Sequence, residues 1–168
     1  MMRMIRTAAG IVALFWMCVI FAFSGQEKEE SGAVSESFSY RIVRSADSLL
    51  GLNWNDERLH EIADTIEGYV RKAAHMVEFG ILSVLLYIWM GNRPFSVRKR
   101  IFFSSLIAAL YAASDETHQL FVAGRSGRIS DVMIDSAGAI LGVLVFAGVE
   151  KCIIFLWNRR RYRETESS

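Results

Sequence analysis

Residues 114–142 read SDETHQLFVAGRSGRISDVMIDSAGAILG, and they place ionisable side chains between two long apolar segments. The segment before them, 101–113, and the segment after them, which continues to Trp157, are apolar enough to lie in a bilayer. An ionisable side chain in hydrocarbon is costly and marks a candidate functional position. We therefore expect a membrane bundle that gathers these polar residues.

The distribution of apolar residues predicts an all-α integral membrane protein with a single domain, residues 1–168. Hydrophobic residues make up 52% of the chain, and they fall into four blocks rather than into periodic stripes. Each block can reach the roughly 20 residues that cross the hydrocarbon core. We predict a four-transmembrane-helix bundle with spans at about 5–23, 73–90, 99–120 and 130–157.

The basic residues predict the orientation of these spans. The net charge is only +1, but Lys and Arg cluster before residue 7, between Arg93 and Arg100, and after residue 150. The positive-inside rule places these three segments in the cytoplasm, so both termini are cytoplasmic and the segments 24–72 and 115–128 face outward. Because orientation explains the basic clusters, we expect no nucleic-acid binding.

The outer segment 24–72 carries two amphipathic patterns. Apolar residues recur at helical spacing between Ser37 and Gly51 and again between Asp56 and Gly68. Neither pattern is long enough to span, so we predict short amphipathic helices that lie on the outer surface. We also expect an uncleaved first span and a disordered tail at 160–168.

Helical spacing brings polar side chains from three predicted spans to one membrane depth. Gly138 and Gly142 continue the face of Asp135 and allow close helix approach, so we expect Asp135 to face the bundle interior. The spacing predicts a polar pocket beneath the outer face, and its central candidates are His75, Glu78, Asp115, His118 and Asp135.

Further ligand-binding candidates surround this pocket. A guanidinium at Arg125 or Arg128 offers a planar, bidentate fork to a phosphate or a carboxylate. Internal pairing with Asp131 or Asp115 is the alternative for these arginines. The complete set of surrounding candidates is Ser24, Gln26, Lys72, Glu116, Gln119, Arg125, Arg128 and Asp131.

Several chemical interpretations stay open at this point. His75 or His118 could act as a general base oriented by Glu78 or Asp135, in an intramembrane hydrolase or transferase acting on a lipid-linked group. Alternatively, the charges could pair with each other in a structural bundle. His75, Glu78, His118 and Asp135 are also candidate ligands of a divalent metal. They come from separate helices without a His-Glu-x-x-His motif, so the sequence assigns neither a metal nor an enzyme class.

Several segments, in order, resemble the signature segments of the VanZ-like family. They are RKAAHMVEFG (71–80), YAASDETHQ (111–119), GRSGRISDVMID (124–135) and GAILG (138–142), and FSGQ (23–26) with Ser31 and Ser35 resembles the family's opening motif. The resemblance runs from about Phe15 to Phe146.

The resemblance implies a multi-pass protein of the bacterial cytoplasmic membrane. The founding member of the family is associated with teicoplanin resistance, but the resemblance supplies no settled biochemical activity. We therefore expect a cell-envelope protein whose outer-leaflet pocket engages a lipid-linked or cell-wall ligand and affects glycopeptide susceptibility. The resemblance leaves the cofactor and the oligomeric state of the protein unassigned.

Overall fold

The described part of the chain is all-α. The computed structural model describes residues 1–26 and 28–166, with side chains for 1–26 and 32–160. Within these residues the chain forms five helices and no strand, which confirms that the fold is all-α. The helices are α1 (Met2–Ser24), α2 (Lys28–Leu50), α3 (Asp56–Met90), α4 (Val97–Gln119) and α5 (Ile129–Glu166).

Three of these helices, α1, α3 and α5, are long and apolar enough to cross a membrane. Helix α4 is not among these candidate spans, because its apolar part is short. Charged residues occupy its start, Arg98–Arg100, and its end, Asp115 and Glu116. Its length of about 34 Å is nevertheless enough for the hydrocarbon core. Three of the four predicted spans are thus supported, and the fourth stays a prediction.

Helix α3 is one continuous helix where the sequence predicted a short surface helix followed by a separate span. The Asn55 side chain caps its start by accepting the Arg58 N–H at 3.0 Å. No proline interrupts residues 56–90, and Gly68 costs only about 1 kcal/mol relative to alanine. At about 52 Å, α3 is longer than the hydrocarbon core of about 30 Å. The first half of α3 is therefore additional to the length that would cross the hydrocarbon core.

Helix α2 packs against this extension. Val43 of α2 and Leu59 and Ala63 of α3 form a small apolar core, and residues 51–55 join the two helices in a hairpin. Gly51 adopts a φ of +64° in that turn, a conformation that favours glycine. The prediction of two short, separate helices is wrong: α2 has 23 residues, and the second amphipathic pattern is the first part of α3.

Helices α3 and α5 cross at glycines. A Cβ atom at Gly138 would lie 2.3 Å from the Met76 carbonyl oxygen, and one at Gly142 would lie 2.7 Å from the Gly80 Cα. The Ser83 hydroxyl, also at this crossing, donates a 2.6 Å hydrogen bond to the Ala139 carbonyl. The close approach expected from Gly138 and Gly142 is confirmed.

Side-chain hydrogen bonds attach α1 to the rest of the bundle. The Trp16 indole N–H donates to the Glu78 carbonyl at 2.9 Å, and the Tyr111 hydroxyl donates to the Met17 carbonyl at 2.6 Å. At the opposite end of α1, the Arg6 guanidinium donates to the Gly91 carbonyl at 2.6 Å. These bonds hold the end of α1 beside α3 and α4, where the polar residues converge.

The carboxyl end of α5 continues into the segment predicted to be disordered. The helix extends to Glu166, whereas the sequence predicted a disordered tail at 160–168. Arginine and glutamate are good helix formers, so the apolar helix can extend through them. Residues 167 and 168 lie outside the described part of the chain.

Candidate functional site

A cavity of about 220 Å³ opens where α3, the link between α4 and α5, and the start of α5 meet. We call it the polar cavity. It contains many of the predicted ligand-binding residues together with His75 and Asp135. Its lining is Gly68, Arg71, Lys72, His75, Glu116, Gln119, Gly124, Arg125, Ser126, Arg128, Asp131, Ile134 and Asp135.

A second cavity of about 200 Å³ lies beside it, between the end of α1, the start of α2 and α3. We call it the apolar groove because most of its wall is hydrocarbon. Arg71, His75 and Arg125 line both cavities and separate them. The other lining residues of the apolar groove are Phe23, Gln26, Val34, Ser35, Phe38, Val70, Ala74 and Glu78.

Helix α3 supplies the partition between the two cavities. Arg71, His75 and Glu78 share one face because residues three or four apart are neighbours on a helix. The His75 Nδ1 atom lies 3.4 Å from a Glu78 carboxylate oxygen, without the geometry of a hydrogen bond. Arg71 donates to the Ser35 hydroxyl at 3.1 Å and to the Glu67 carboxylate, which connects α2 to this face.

The end of α4 supplies two carboxylates with different roles. Asp115 is 2% exposed, and one of its oxygens accepts the Gln119 amide at 3.1 Å. Its other oxygen, Oδ1, has no hydrogen-bond partner among the described residues. Glu116 accepts the Arg128 backbone N–H at 2.9 Å and so fixes the α4–α5 link to the end of α4.

Two glycines allow the α4–α5 link to fold over the end of α4. A Cβ atom at Gly127 would lie 2.4 Å from the Glu116 carbonyl oxygen. Gly124 adopts a φ of +72°, which most side chains disfavour. The link therefore covers the cavity with Arg125 and Arg128 close by.

Arg125 connects this link to the end of α1. Its Nε donates to the Gln26 carbonyl at 2.9 Å, and an Nη donates to the Phe23 carbonyl at 3.4 Å. Burial lowers the pKa of the Arg125 guanidinium below its usual value, and the neighbouring Arg71 guanidinium adds to this effect. Among the described residues, no carboxylate lies within 4 Å of the Arg125 guanidinium to pair with it.

Asp135 is the most deeply buried acid in the wall of the polar cavity. It is 2% exposed, and its Oδ1 atom has no hydrogen-bond partner among residues 1–26 and 32–160. The Asp135 carboxylate and His75 are close enough to interact electrostatically. The close crossing at Gly138, one turn further along α5, explains why this carboxylate faces α3.

Three predicted residues line neither cavity. Ser24 and Asp115 are buried, with the Ser24 hydroxyl close to the Asp115 carboxylate but without hydrogen-bond geometry. His118 packs against α1, where its ring centroid lies 4.2 Å from that of Phe21. His118 therefore lies outside both cavity walls, although Asp115 is close enough to interact electrostatically with both His118 and His75.

The metal hypothesis gains no support from this arrangement. In the described residues, no three His, Cys, Asp or Glu side chains form a group that could hold a metal ion. The four candidate ligands, His75, Glu78, His118 and Asp135, are therefore not assigned to a metal site.

Arg71 is a site residue that the predicted set did not contain. It lies in the wall of both cavities and contacts Glu67 and Ser35. The available signal was its spacing, since it precedes His75 by one turn on the same helix face. The contact with Ser35 could not be read from spacing because it depends on how α2 folds back onto α3.

Charges of both signs line the polar cavity. Helix α3 and the link supply Arg71, Lys72, Arg125 and Arg128, whereas α4 and α5 supply Glu116, Asp131 and Asp135. Lys72 is exposed and makes no hydrogen bond or ion pair with any described residue. This arrangement suits a ligand that carries an anionic group next to hydrogen-bond donors.

Comparison with known proteins identifies one family. The model of the family described as VanZ/LLP1 matches residues 9–155, which include the walls of both cavities. No curated protein and no solved structure gives a match to the chain. Because the match covers most of the sequence and agrees with the motifs at 71–80, 111–119 and 124–142, the chain belongs to the VanZ-like family.

Proposed function

We propose that this protein lies in a bacterial cytoplasmic membrane with α1, α3, α4 and α5 as four spans and both termini in the cytoplasm. The apolar character of α1, α3 and α5 supports a membrane location. The basic residues of the α3–α4 link and of the end of α5 support a cytoplasmic position for those ends. With this orientation, the polar cavity opens toward the outer face.

Cysteine labelling in intact cells tests this topology. Cys18 and Cys152 are first replaced by alanine, and a cysteine is then introduced as Ser126→Cys in the α4–α5 link or as Asn92→Cys in the α3–α4 link. A membrane-impermeant maleimide should label Ser126→Cys in intact cells and Asn92→Cys only after permeabilisation. Equal labelling of both before permeabilisation contradicts a crossing by α4.

We further propose that the polar cavity binds the polar group of a lipid-linked or cell-wall ligand. The observation that carries this proposal is the Asp135 carboxylate, which lies in the cavity wall at 2% exposure with one oxygen unpartnered among the described residues. A buried polar atom left without a hydrogen-bond partner costs about 1–3 kcal/mol. A purely structural bundle would supply an internal donor for this carboxylate oxygen. The missing donor therefore favours a ligand over internal pairing.

Susceptibility measurements test the consequence in cells. The gene is deleted and replaced by wild type, by Asp135→Asn, or by Asp64→Asn as a control at an exposed acid outside both cavities. Asp135→Asn should reproduce the teicoplanin susceptibility of the deletion at an unchanged protein level, and Asp64→Asn should match wild type. If deletion leaves susceptibility unchanged, the link to glycopeptides fails for this protein.

A second candidate function is an intramembrane hydrolase or transferase that acts on a lipid-linked group. It is favoured by His75, which lines both cavities with Glu78 3.4 Å away and Asp135 nearby, the arrangement of an oriented general base. Purified protein incubated with envelope lipids should then form a product that mass spectrometry detects. His75→Gln should abolish the product, and absence of turnover by wild type rejects the enzyme.

A further inference from the structure

The two cavities differ in chemistry but share a wall. Arg71, His75 and Arg125 line both of them, so a molecule placed at these residues reaches a charged space on one side and a hydrocarbon-walled space on the other. A small anion would use only the polar cavity. An amphiphile would use both.

The shared wall attracts an anion. Arg125 donates hydrogen bonds to the Gln26 and Phe23 carbonyls, which use two of its five N–H groups and do not neutralise its charge. The Arg71 guanidinium lies near it and is paired with the Glu67 carboxylate, whereas Lys72 adds an ammonium with no described internal partner. The unpaired Arg125 guanidinium and the Lys72 ammonium suit the several oxygens of a phosphate.

The opposite wall of the polar cavity carries hydrogen-bond acceptors, which suit donor groups attached to a phosphate. Asp135 has an unpartnered oxygen, and Gln119 lines the same cavity. A hydroxyl or amine attached near the phosphate could donate to these acceptors. The cavity therefore accommodates a headgroup with an anionic part and a donor part.

The apolar groove is an open cavity with exposed apolar side chains in its wall. Phe23 of α1 and Val34 and Phe38 of α2 contribute to its wall and are each more than half exposed. Ala74 forms part of the floor on α3. At the outer end of a membrane bundle, such an opening lets a hydrocarbon chain enter directly from the leaflet.

We propose that the occupant is an amphiphile whose phosphate-bearing headgroup lies in the polar cavity and whose hydrocarbon chain lies in the apolar groove. This inference rests on the proposed function of the polar cavity and adds the chemical class of its ligand. A membrane lipid and a free phosphate compound share the headgroup chemistry, and the hydrocarbon chain distinguishes them.

Chain-length dependence of binding tests the proposal. Inorganic phosphate, n-butyl phosphate and n-hexyl phosphate are titrated by calorimetry into the full-length protein in detergent, with hexyl glucoside as a probe that lacks phosphate. Ala74→Leu fills the groove, and Ala73→Leu is the matched control because Ala73 lines neither cavity. Lys72→Gln removes a cavity cation, and Lys99→Gln removes one from the other end of the molecule.

The wild-type affinity for alkyl phosphates should rise about fourfold for each methylene that enters the groove. Ala74→Leu should flatten this dependence while leaving inorganic phosphate binding unchanged, and Ala73→Leu should behave as wild type. Lys72→Gln should weaken binding of all three phosphates by roughly tenfold, the value of a charge-assisted contact. Hexyl glucoside should bind more weakly than hexyl phosphate.

Two results would overturn the inference. If the three phosphates bind equally to wild type, or if chain length acts equally in Ala74→Leu and Ala73→Leu, the groove holds no chain. A Lys72-dependent affinity for phosphate would then still support the polar cavity as a ligand site. If no phosphate binds, the anionic ligand class is wrong, and the Asp135→Asn susceptibility test decides separately whether the polar cavity has a function.

Discussion

The crossing of α3 and α5 provides the sharpest structural prediction, because main-chain atoms occupy the space beside Gly138. We consider Gly138→Ala, which adds one methyl group. The new Cβ would lie 2.3 Å from the Met76 carbonyl oxygen and 2.6 Å from the Met76 Cα. Backbone atoms cannot rotate away as a side chain can, so the two helices must separate.

The expected cost follows from two opposing effects. Overpacking in a well-packed interior costs about 1–3 kcal/mol, and contact with the main chain places this case at about 3 kcal/mol. Alanine in place of glycine returns about 1 kcal/mol of helix propensity. The net loss is about 2 kcal/mol, which corresponds to a fall in Tm of about 4–8 °C for a protein of this size.

Gly148→Ala is the matched control on the same helix. A Cβ at Gly148 meets no atom within 4 Å, so only the gain in helix propensity remains and the Tm should stay equal or rise slightly. Thermal unfolding of both variants and of wild type is followed by tryptophan fluorescence in detergent. If Gly138→Ala is as stable as Gly148→Ala, the close crossing that directs Asp135 toward His75 does not exist.

Three further predictions concern the site and the elements that support it. Tyr111→Phe should lower the free energy of unfolding by about 1 kcal/mol, because the hydroxyl donates to the Met17 carbonyl at 2.6 Å; Tm under the same conditions measures it, and an unchanged value contradicts the contact. Asp135→Asn should leave the Tm nearly unchanged, because the amide keeps the shape of the side chain and breaks no hydrogen bond to a described residue; a Tm lowered by several degrees would indicate an internal partner. Gly127→Ala should open the α4–α5 link, since its Cβ would lie 2.4 Å from the Glu116 carbonyl oxygen; limited proteolysis should cut the link faster in this variant, and an unchanged rate contradicts the packing.

The sequence was sufficient to predict properties that depend on local composition and spacing. Apolar blocks predicted spans at α1, α3 and α5, and these three helices are long and apolar enough to cross a membrane, a property that depends on composition and not on neighbouring helices. The spacing of Asp135, Gly138 and Gly142 predicted a face that approaches another helix. The motifs between residues 71 and 142 predicted the family, and the match over 9–155 confirmed it.

Helix continuity was not readable from the same patterns. The sequence changes from amphipathic to apolar near Lys72, and this change was interpreted as a boundary between two helices. The backbone continues because no proline or strong turn interrupts it, and α2 covers the apolar face of the extension. Hydropathy indicates whether a helix segment is surrounded by water or by hydrocarbon. It does not indicate where the backbone hydrogen bonds of the helix end.

The division between the two cavities was decided by tertiary structure alone. His75, His118 and Asp135 have comparable spacing signals, yet His75 and Asp135 line the polar cavity while His118 packs on Phe21 of α1. The position of Arg71 beside Ser35 likewise depends on the fold of α2 against α3. Sequence spacing determines which residues share a helix face, whereas the rotation and contact of each helix with its neighbours determine what that face meets.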